Sequence, residues 1–312
     1  MVALPGVKPN AVTVLSVLQA CMQSQDLVFG MEVHRYIVDN KVELDVLVCN
    51  ALIGLYAKCG SLDYARELFD EMSEKDEVTY GAIISGYMAH GVVDKGMELF
   101  REMKSRVLST WNAVISGLVQ NNRHEGVVDL VREMQGFGFR PNAVTLSSVL
   151  PTLSYFSNLK GGKEIHGYAV KNGYDRNIYV ATAIIDTYAK LGYLFGAQAG
   201  RLSQATEFIS TMPIEPNAKV WGALLHGASL CVDVELGKLA CDHLFEIEPE
   251  NTGNYAIMAN LYSQAGKWKE ADEDTSNENA LEIYEMLGGF SGLMKEEGNV
   301  LEDDLEKVAV YG

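Results

Sequence analysis

Nowhere do the 312 residues of this sequence run to the roughly 20 consecutive apolar residues that a membrane-crossing helix needs, although 48% of them are hydrophobic. Cysteine is scarce: five residues, at positions 21, 49, 59, 231 and 241, with no C-x-x-C pair among them. That excludes a disulfide framework or a zinc ribbon and reads as free thiols on buried helix faces. The sequence has no phosphate loop of the G-x-x-x-x-G-K-S/T type and no G-x-S-x-G nucleophile turn. The opening MVALPGVKPN has no basic region followed by an apolar core, so it is not a signal peptide, and it is too short for an Arg- and Ser-rich transit segment. No cofactor, metal ion, catalytic residue, small-molecule substrate or membrane partner is therefore expected, and the chain does not read as an enzyme.

Positive charge is also short. With 25 Lys and Arg against 42 Asp and Glu the net charge is −17. The deficit is uneven. Residues 1–177 hold 17 basic and 20 acidic side chains, net −3, whereas residues 178–312 hold 8 and 22, net −14. A strongly electrostatic, non-specific nucleic-acid binder is excluded. A local basic stripe on the near-neutral first part is not.

What the sequence does have is a period. In NALIGLYAKCGSLDYARELFDEM (50–72), Cys49, Leu52, Ile53 and Tyr56 fall at i, i+3, i+4 and i+7, one apolar face of a helix. Gly60 follows as a left-handed helix stop. Ala65, Leu68, Phe69 and Met72 then repeat the spacing on a second helix. Thirty-one residues on come Tyr80, Ile83, Ile84, Tyr87, Gly91, Gly96, Leu99, Phe100 and Met103; another 31 on come Trp111, Val114, Ile115, Leu118, Asn122, Val127, Leu130, Val131 and Met134. A fixed period of this size predicts an all-α solenoid of helix–turn–helix repeats.

Placing Asn50 fifth in its unit gives units 11–45, 46–76, 77–107, 108–142 and 143–177, after residues 1–10 as the end of a preceding repeat. AVTVLSVLQAC and GMEVHRY in the first unit return as AVTLSSVLPTL and GKEIHGY in the fifth, 132 residues on, which makes His34 and His166 structural. Unit 178–217 opens in register through Tyr188 and the stop Gly192. Its second-helix face then arrives eight residues late, at Ala205, Phe208, Ile209 and Met212, and the sequence reads as joined near 198/199 with an internal segment missing. Residues 218–251 form another hairpin. Residue 252 opens one more, which fails at a second junction near 272–274. Residues 272–312 read as an acidic amphipathic helix and a mobile tail, with 12 acidic and 2 basic residues.

These motifs resemble the pentatricopeptide repeat family of land-plant organelles, in the subgroup that mixes long, short and standard repeats. NALIGLYAKCGSLDYARELFDEM is similar to the short motif (as are 46–76 and 77–107 as units), TWNAVISGLVQNN with REMQGFGFRPN to the standard one (108–142), and AVTVLSVLQAC with GMEVHRYIV to the long one (11–45 and 143–177). Residues 218–271 resemble the family's C-terminal E motifs. The resemblance implies a right-handed superhelix whose first helices line a face that reads single-stranded RNA, one base per repeat. The fifth and last residues of each repeat would contact the base edge: Asn50 with Asp76 for uracil, Asn112 with Asn142 for cytosine with uracil tolerated, Ser147 with Asn177 and Thr182 with Asn217 for adenine. Leu15 with Asp45, and Gly81 with Val107, fit no combination. Leu47, Ser109, Val144 and Tyr179, second in their units, would sandwich the bases.

By the same resemblance the chain is a C-to-U editing specificity factor of a mitochondrion or chloroplast, recruiting a deaminase-bearing partner through the E region. The family's own deaminase chemistry needs an H-x-E element and a distant C-x-x-C; here His124 and Glu125 are adjacent and the cysteine pair is absent. Two other readings stand beside this one. The Asn, Asp, Ser and Thr residues could simply be helix caps, in a scaffold that binds only protein. Alternatively, the two junctions and the start within a repeat describe a shortened product with little RNA affinity.

Overall fold

The computed structural model describes residues 9–42, 44–194, 202–212 and 215–267. Among these there are fifteen α-helices and no strand: α1 (Ala11–Ser24), α2 (Leu27–Asp39), α3 (Val46–Lys58), α4 (Leu62–Glu71), α5 (Glu77–Ala89), α6 (Val93–Glu102), α7 (Leu108–Gln120), α8 (Val127–Gly136), α9 (Ala143–Tyr155), α10 (Leu159–Lys171), α11 (Ile178–Leu194), α12 (Leu202–Thr211), α13 (Ala218–Cys231), α14 (Val234–Ile247) and α15 (Thr252–Gln264). A single 3₁₀ turn, Tyr174–Arg176, precedes α11. The all-α solenoid of helical hairpins is what the chain forms. It divides into two compact units, 1–152 and 153–312. The junction near 198/199, the tail from 272 and most of residues 1–10 lie outside the described residues.

In the first unit α1, α3, α5 and α7 stack side by side, and α2, α4, α6 and α8 each pack behind their own first helix. The apolar stripes make this inevitable. Leu52, Ile53, Tyr56, Ile83, Ile84, Tyr87, Trp111, Val114 and Ile115 are all buried. The adjacent first helices come close enough that a Cβ on Gly86 would collide with the Ala57 Cβ. In the second unit α11 packs on α13, α13 on α14 and α15, and α10 and α12 on α11.

The fifteenth residue of a hairpin turns left-handed almost everywhere. Gly60, Gly91 and Gly266 do so at φ +83°, +78° and +69°. So do Asn122, Gln25, Ser157 and even β-branched Val232, at φ between 54° and 56°. The exception is Gly192, expected to stop its helix, which lies inside α11. A helical glycine costs only about 1 kcal/mol relative to alanine, too little to end a helix unless a second helix docks just beyond it. The next helix here, α12, begins ten residues later, with Ala205, Phe208 and Ile209 buried.

A second departure lies in α8, which begins three residues later than the register of α4 and α6 requires. Its first turn is unwound: Gly126 is left-handed at φ +76°, and His124 is buried with Nδ1 3.1 Å from the Thr152 hydroxyl. None of the five cysteines forms a disulfide, but only Cys21 and Cys241 are buried; Cys49, Cys59 and Cys231 are half-buried, because they sit at the flank or end of a first helix. Burial raises the pKa of Cys21, Cys49, Cys59 and Cys231, which keeps these thiols protonated and unreactive. His34 and His166 pair with Tyr56 and Tyr188 through Nδ1 at 2.8 and 3.0 Å, and burial lowers both imidazole pKa values. Both are packing residues.

Candidate nucleic-acid interface

Asn50 stands on α3 and Asp76 is the N-cap of α5, 26 residues away. Stacking α3 against α5 brings them together: Asn50 Nδ2 donates to Asp76 Oδ1 at 3.1 Å. A third residue locks the pair. Thr79, fully buried in the first turn of α5, donates its hydroxyl to Asn50 Oδ1 at 2.6 Å and lies 2.8 Å from Asp76 Oδ1. It accepts from the Asp76 N–H at 3.1 Å, and its own N–H donates to Asp76 Oδ1 at 2.8 Å. A carboxylate only accepts, so the Asn50 amide must turn its NH₂ toward Asp76.

The arrangement recurs two units on. Asn112 Nδ2 donates to Asn142 Oδ1 at 3.2 Å, Thr145 Oγ1 to Asn112 Oδ1 at 2.6 Å, and the Thr145 N–H to Asn142 Oδ1 at 3.0 Å. That last bond fixes the Asn142 flip, since a backbone N–H needs an oxygen. Asn50 and Asn112 are each 8% exposed.

The two sites differ in what they leave open. At Asp76 the side-chain bonds fall on Oδ1, and no other side chain bonds Oδ2 among the described residues. At Asn142 the same bonds use Oδ1, and Nδ2 keeps its two protons. One site therefore presents an acceptor and the other a donor. Burial pushes the Asp76 carboxyl up, but the bonds from Thr79, from Asn50 and from the Val78 backbone N–H outweigh it and hold the pKa below the ordinary value. A depression of about 250 Å³ is lined by Lys75 and Lys104 against Asp76, Glu77 and Glu102, so the local charge is slightly acidic rather than basic.

The other sequence-predicted pairs are not joined in this way. Thr182 turns its hydroxyl back to the Ile178 carbonyl at 2.8 Å, and Asn217 caps α13, accepting from the Lys219 and Val220 N–H groups at 3.1 and 3.3 Å. No hydrogen bond links Thr182 to Asn217, because each satisfies its own helix first. Ser147 bonds the Val144 carbonyl at 3.2 Å and Asn177 caps α11; they belong to different compact units. Asp45 caps α3 through Val48, with Leu15 offering no polar partner. At Gly81 and Val107 there is no polar side chain, and Thr110 donates instead to the Val107 carbonyl at 2.8 Å.

Flanking these positions is a row of apolar side chains held out in solvent at helix starts. Leu47, Val144 and Tyr179 are 62%, 51% and 63% exposed, and Ser109 is exposed in the same register. Val12 and Val78 belong to this row, at 69% and 63% exposure, and were not singled out from sequence. Their second-place register was the available signal. Thr79 and Thr145 were likewise missed; their signal was a threonine three residues after each pairing Asp or Asn. Among the described residues no His, Cys, Asp and Glu group could hold a metal ion, and no helix is long and apolar enough to cross a membrane.

Comparison with known sequences matches a PPR repeat profile at residues 47–76 and 78–107, a PPR repeat family profile at 107–154 and an E motif profile at 232–273. Pentatricopeptide repeat-containing protein At2g37310 of Arabidopsis thaliana is 46% identical over 432 aligned positions that take in 98% of this chain. Pentatricopeptide repeat-containing protein At2g22070 of the same plant is 31% identical over 84% of the chain. The chain spans 66% and 46% of the lengths of these two relatives, less than two thirds of either. The first alignment is 120 positions longer than the chain, so the relative holds at least that many residues without a counterpart here. Among solved structures, the pentatricopeptide repeat protein PPR10 in complex with an 18-nt psaJ RNA element superposes with a TM-score of 0.66 over 90% of this chain and 41% of that one. At 15% identity that likeness is one of fold.

Proposed function

We propose, from the premise that this chain belongs to the plant pentatricopeptide repeat family and carries a C-terminal E motif, that it is a sequence-specific single-stranded RNA-binding adaptor. The observation that carries the reading is the pair of locked polar sites with opposite open groups. Uracil offers a donor at N3, which suits the open acceptor of Asp76. Cytosine offers an acceptor at N3, which suits the open donor of Asn142. Exposed Leu47, Val78, Ser109 and Val144 flank these sites and supply the faces against which a base can stack. An exposed apolar residue in register on successive hairpins has no packing role, and its solvent exposure is offset only when a ligand covers it.

The adaptor brings an editing deaminase to its RNA in a mitochondrion or chloroplast and does no chemistry itself. Val232, Leu239 and Ile247, each more than 40% exposed on or beside α14, offer that partner an apolar contact within the E motif.

Selection from a random single-stranded RNA pool tests the central claim. Uracil and cytosine should be enriched two nucleotides apart, and Asn50→Ala and Asn112→Ala should each erase their own position, with about tenfold weaker binding. A folded protein that enriches no sequence overturns it.

A further inference from the structure

The hairpin at 218–251 opens the E region, yet it carries the register of a reading unit. Its fifth residue is Gly222, its last is Asn251, and the third residue of the next hairpin is Asn254. These are the places held by Asn50, Asp76 and Thr79, and again by Asn112, Asn142 and Thr145. In both of those the third-place side chain reaches the fifth-place amide at 2.6 Å across two stacked first helices. Here α13 and α15 stack in the same manner, but the fifth place has no side chain. A Cβ on Gly222 would meet nothing within 4 Å. Asn254 is 8% exposed, equal to Asn50 and Asn112, and its buried Nδ2 has no hydrogen-bond partner among the described residues. Asn251 does not turn to it, since its amide bonds Glu248 and its oxygen accepts from the Gly253 N–H.

Glycine in the fifth place does not by itself produce this. At Gly81 a Cβ would touch the Thr110 methyl at 3.4 Å, and the Thr110 hydroxyl is satisfied by the Val107 carbonyl. There the third-place side chain already has its acceptor. At Gly222 the space of the fifth-place side chain is empty, and Asn254, in the register of Thr79 and Thr145, carries a buried donor without an acceptor, which is destabilising until one arrives. Three residues before Gly222, Lys219 stands second in its unit, where Val12, Leu47, Val78, Val144 and Tyr179 stand exposed in theirs. Its Nζ lies 5.3 Å from the ring centroid of Tyr179, the second-place residue of the unit before.

We propose that Lys219, Gly222 and Asn254 form one additional nucleotide site, at which a base enters over Gly222 and accepts a hydrogen bond from Asn254 Nδ2 while Lys219 meets the adjoining phosphate. The site selects a base by an acceptor on its pairing edge. It makes the E region a contributor to RNA recognition as well as to partner recruitment, and it rests on the RNA reading proposed above.

The test uses the full chain and synthetic RNAs that carry uracil and cytosine two nucleotides apart, made in both strand polarities. An abasic site is walked one nucleotide at a time beyond the cytosine, and binding is followed by fluorescence anisotropy. The expected result is a sensitive position past those read by the repeats, about tenfold weaker when abasic, whose sensitivity vanishes in Asn254→Leu and in Gly222→Val. Should no abasic position depend on Asn254 or Gly222 while the cytosine position still depends on Asn112, the additional site is overturned and Asn254 holds only a water. If abasic sites at the uracil and cytosine also cost nothing, the RNA reading itself fails and takes this site with it. The abasic walk on the unaltered chain decides the matter even where a variant does not fold.

Discussion

Units 46–76 and 108–142 carry a locked polar pair, and unit 77–107 between them does not. All three share the buried first-helix stripe and the left-handed fifteenth residue, Gly60, Gly91 and Asn122. All three are followed by a buried threonine, Thr79, Thr110 or Thr145. At the fifth and last places two side chains separate the middle unit, Gly81 for Asn and Val107 for Asp or Asn. The threonine there keeps its cap by donating to the Val107 carbonyl. The stack therefore does not need the pair in order to form. Capping, which every terminal Asp and Asn in the array performs, does not account for Asn50 and Asn112: Asp45 caps α3 just as well with Leu15 in the fifth place.

The sharpest way to break the comparison is at the threonines. Thr79→Val strands the buried Asn50 Oδ1 and removes a cap, and should cost about 2 kcal/mol. Thr110→Val loses only the local cap, and should cost about 1 kcal/mol. Urea denaturation of both variants checks this, and equal losses would mean that the triad adds nothing to the cap. Next in size is a graft. Gly81→Asn combined with Val107→Asp should convert the silent unit into a uracil reader, since the Thr110 methyl leaves room for an ordinary contact. Binding to RNA with uracil between the two selected bases should then tighten about tenfold over other bases; unchanged anisotropy would show that the pair alone does not read.

The smallest effect is on pH. Because the Asp76 pKa is held below its unfolded value, the stability it contributes is fully present above the ordinary carboxylate range, about pH 3.9, and is lost as pH falls through the folded value. Acid titration of the wild type against Asp76→Asn should therefore converge only below about pH 4. Neutral Asn142 gives its unit no such dependence, so Asn142→Ala should run parallel to the wild type through the same range.

Much of this was legible from the residues. The 31- and 35-residue spacing announced the hairpins, and Gly60, Gly91 and Asn122 announced their turns, because a helix stop is a local matter of Cβ sterics. Asn50 and Asp76 could be named as partners from their register within a resembling motif. The threonine between them could not, since its bond to Asn50 spans 29 residues and exists only when α3 and α5 stack. Nor could Thr182 and Asn217 be told apart from a working pair: both residue types suit the role, yet each hydrogen-bonds its own helix.

By itself the sequence determined that this chain is an all-α array and where the first helix of each hairpin starts. These follow from interactions within a helix or turn, and periodicity reports them directly. Tertiary structure decided the rest. It forces Gln25, Ser157 and Val232 into the left-handed region that their side chains disfavour, and leaves Gly192, the residue best suited to it, inside a helix. It unwinds the first turn of α8 to let His124 reach Thr152. It leaves the Asn254 amide unpaired. In each case the backbone follows the docking of a neighbouring hairpin, whose buried area outweighs a local preference of about 1 kcal/mol.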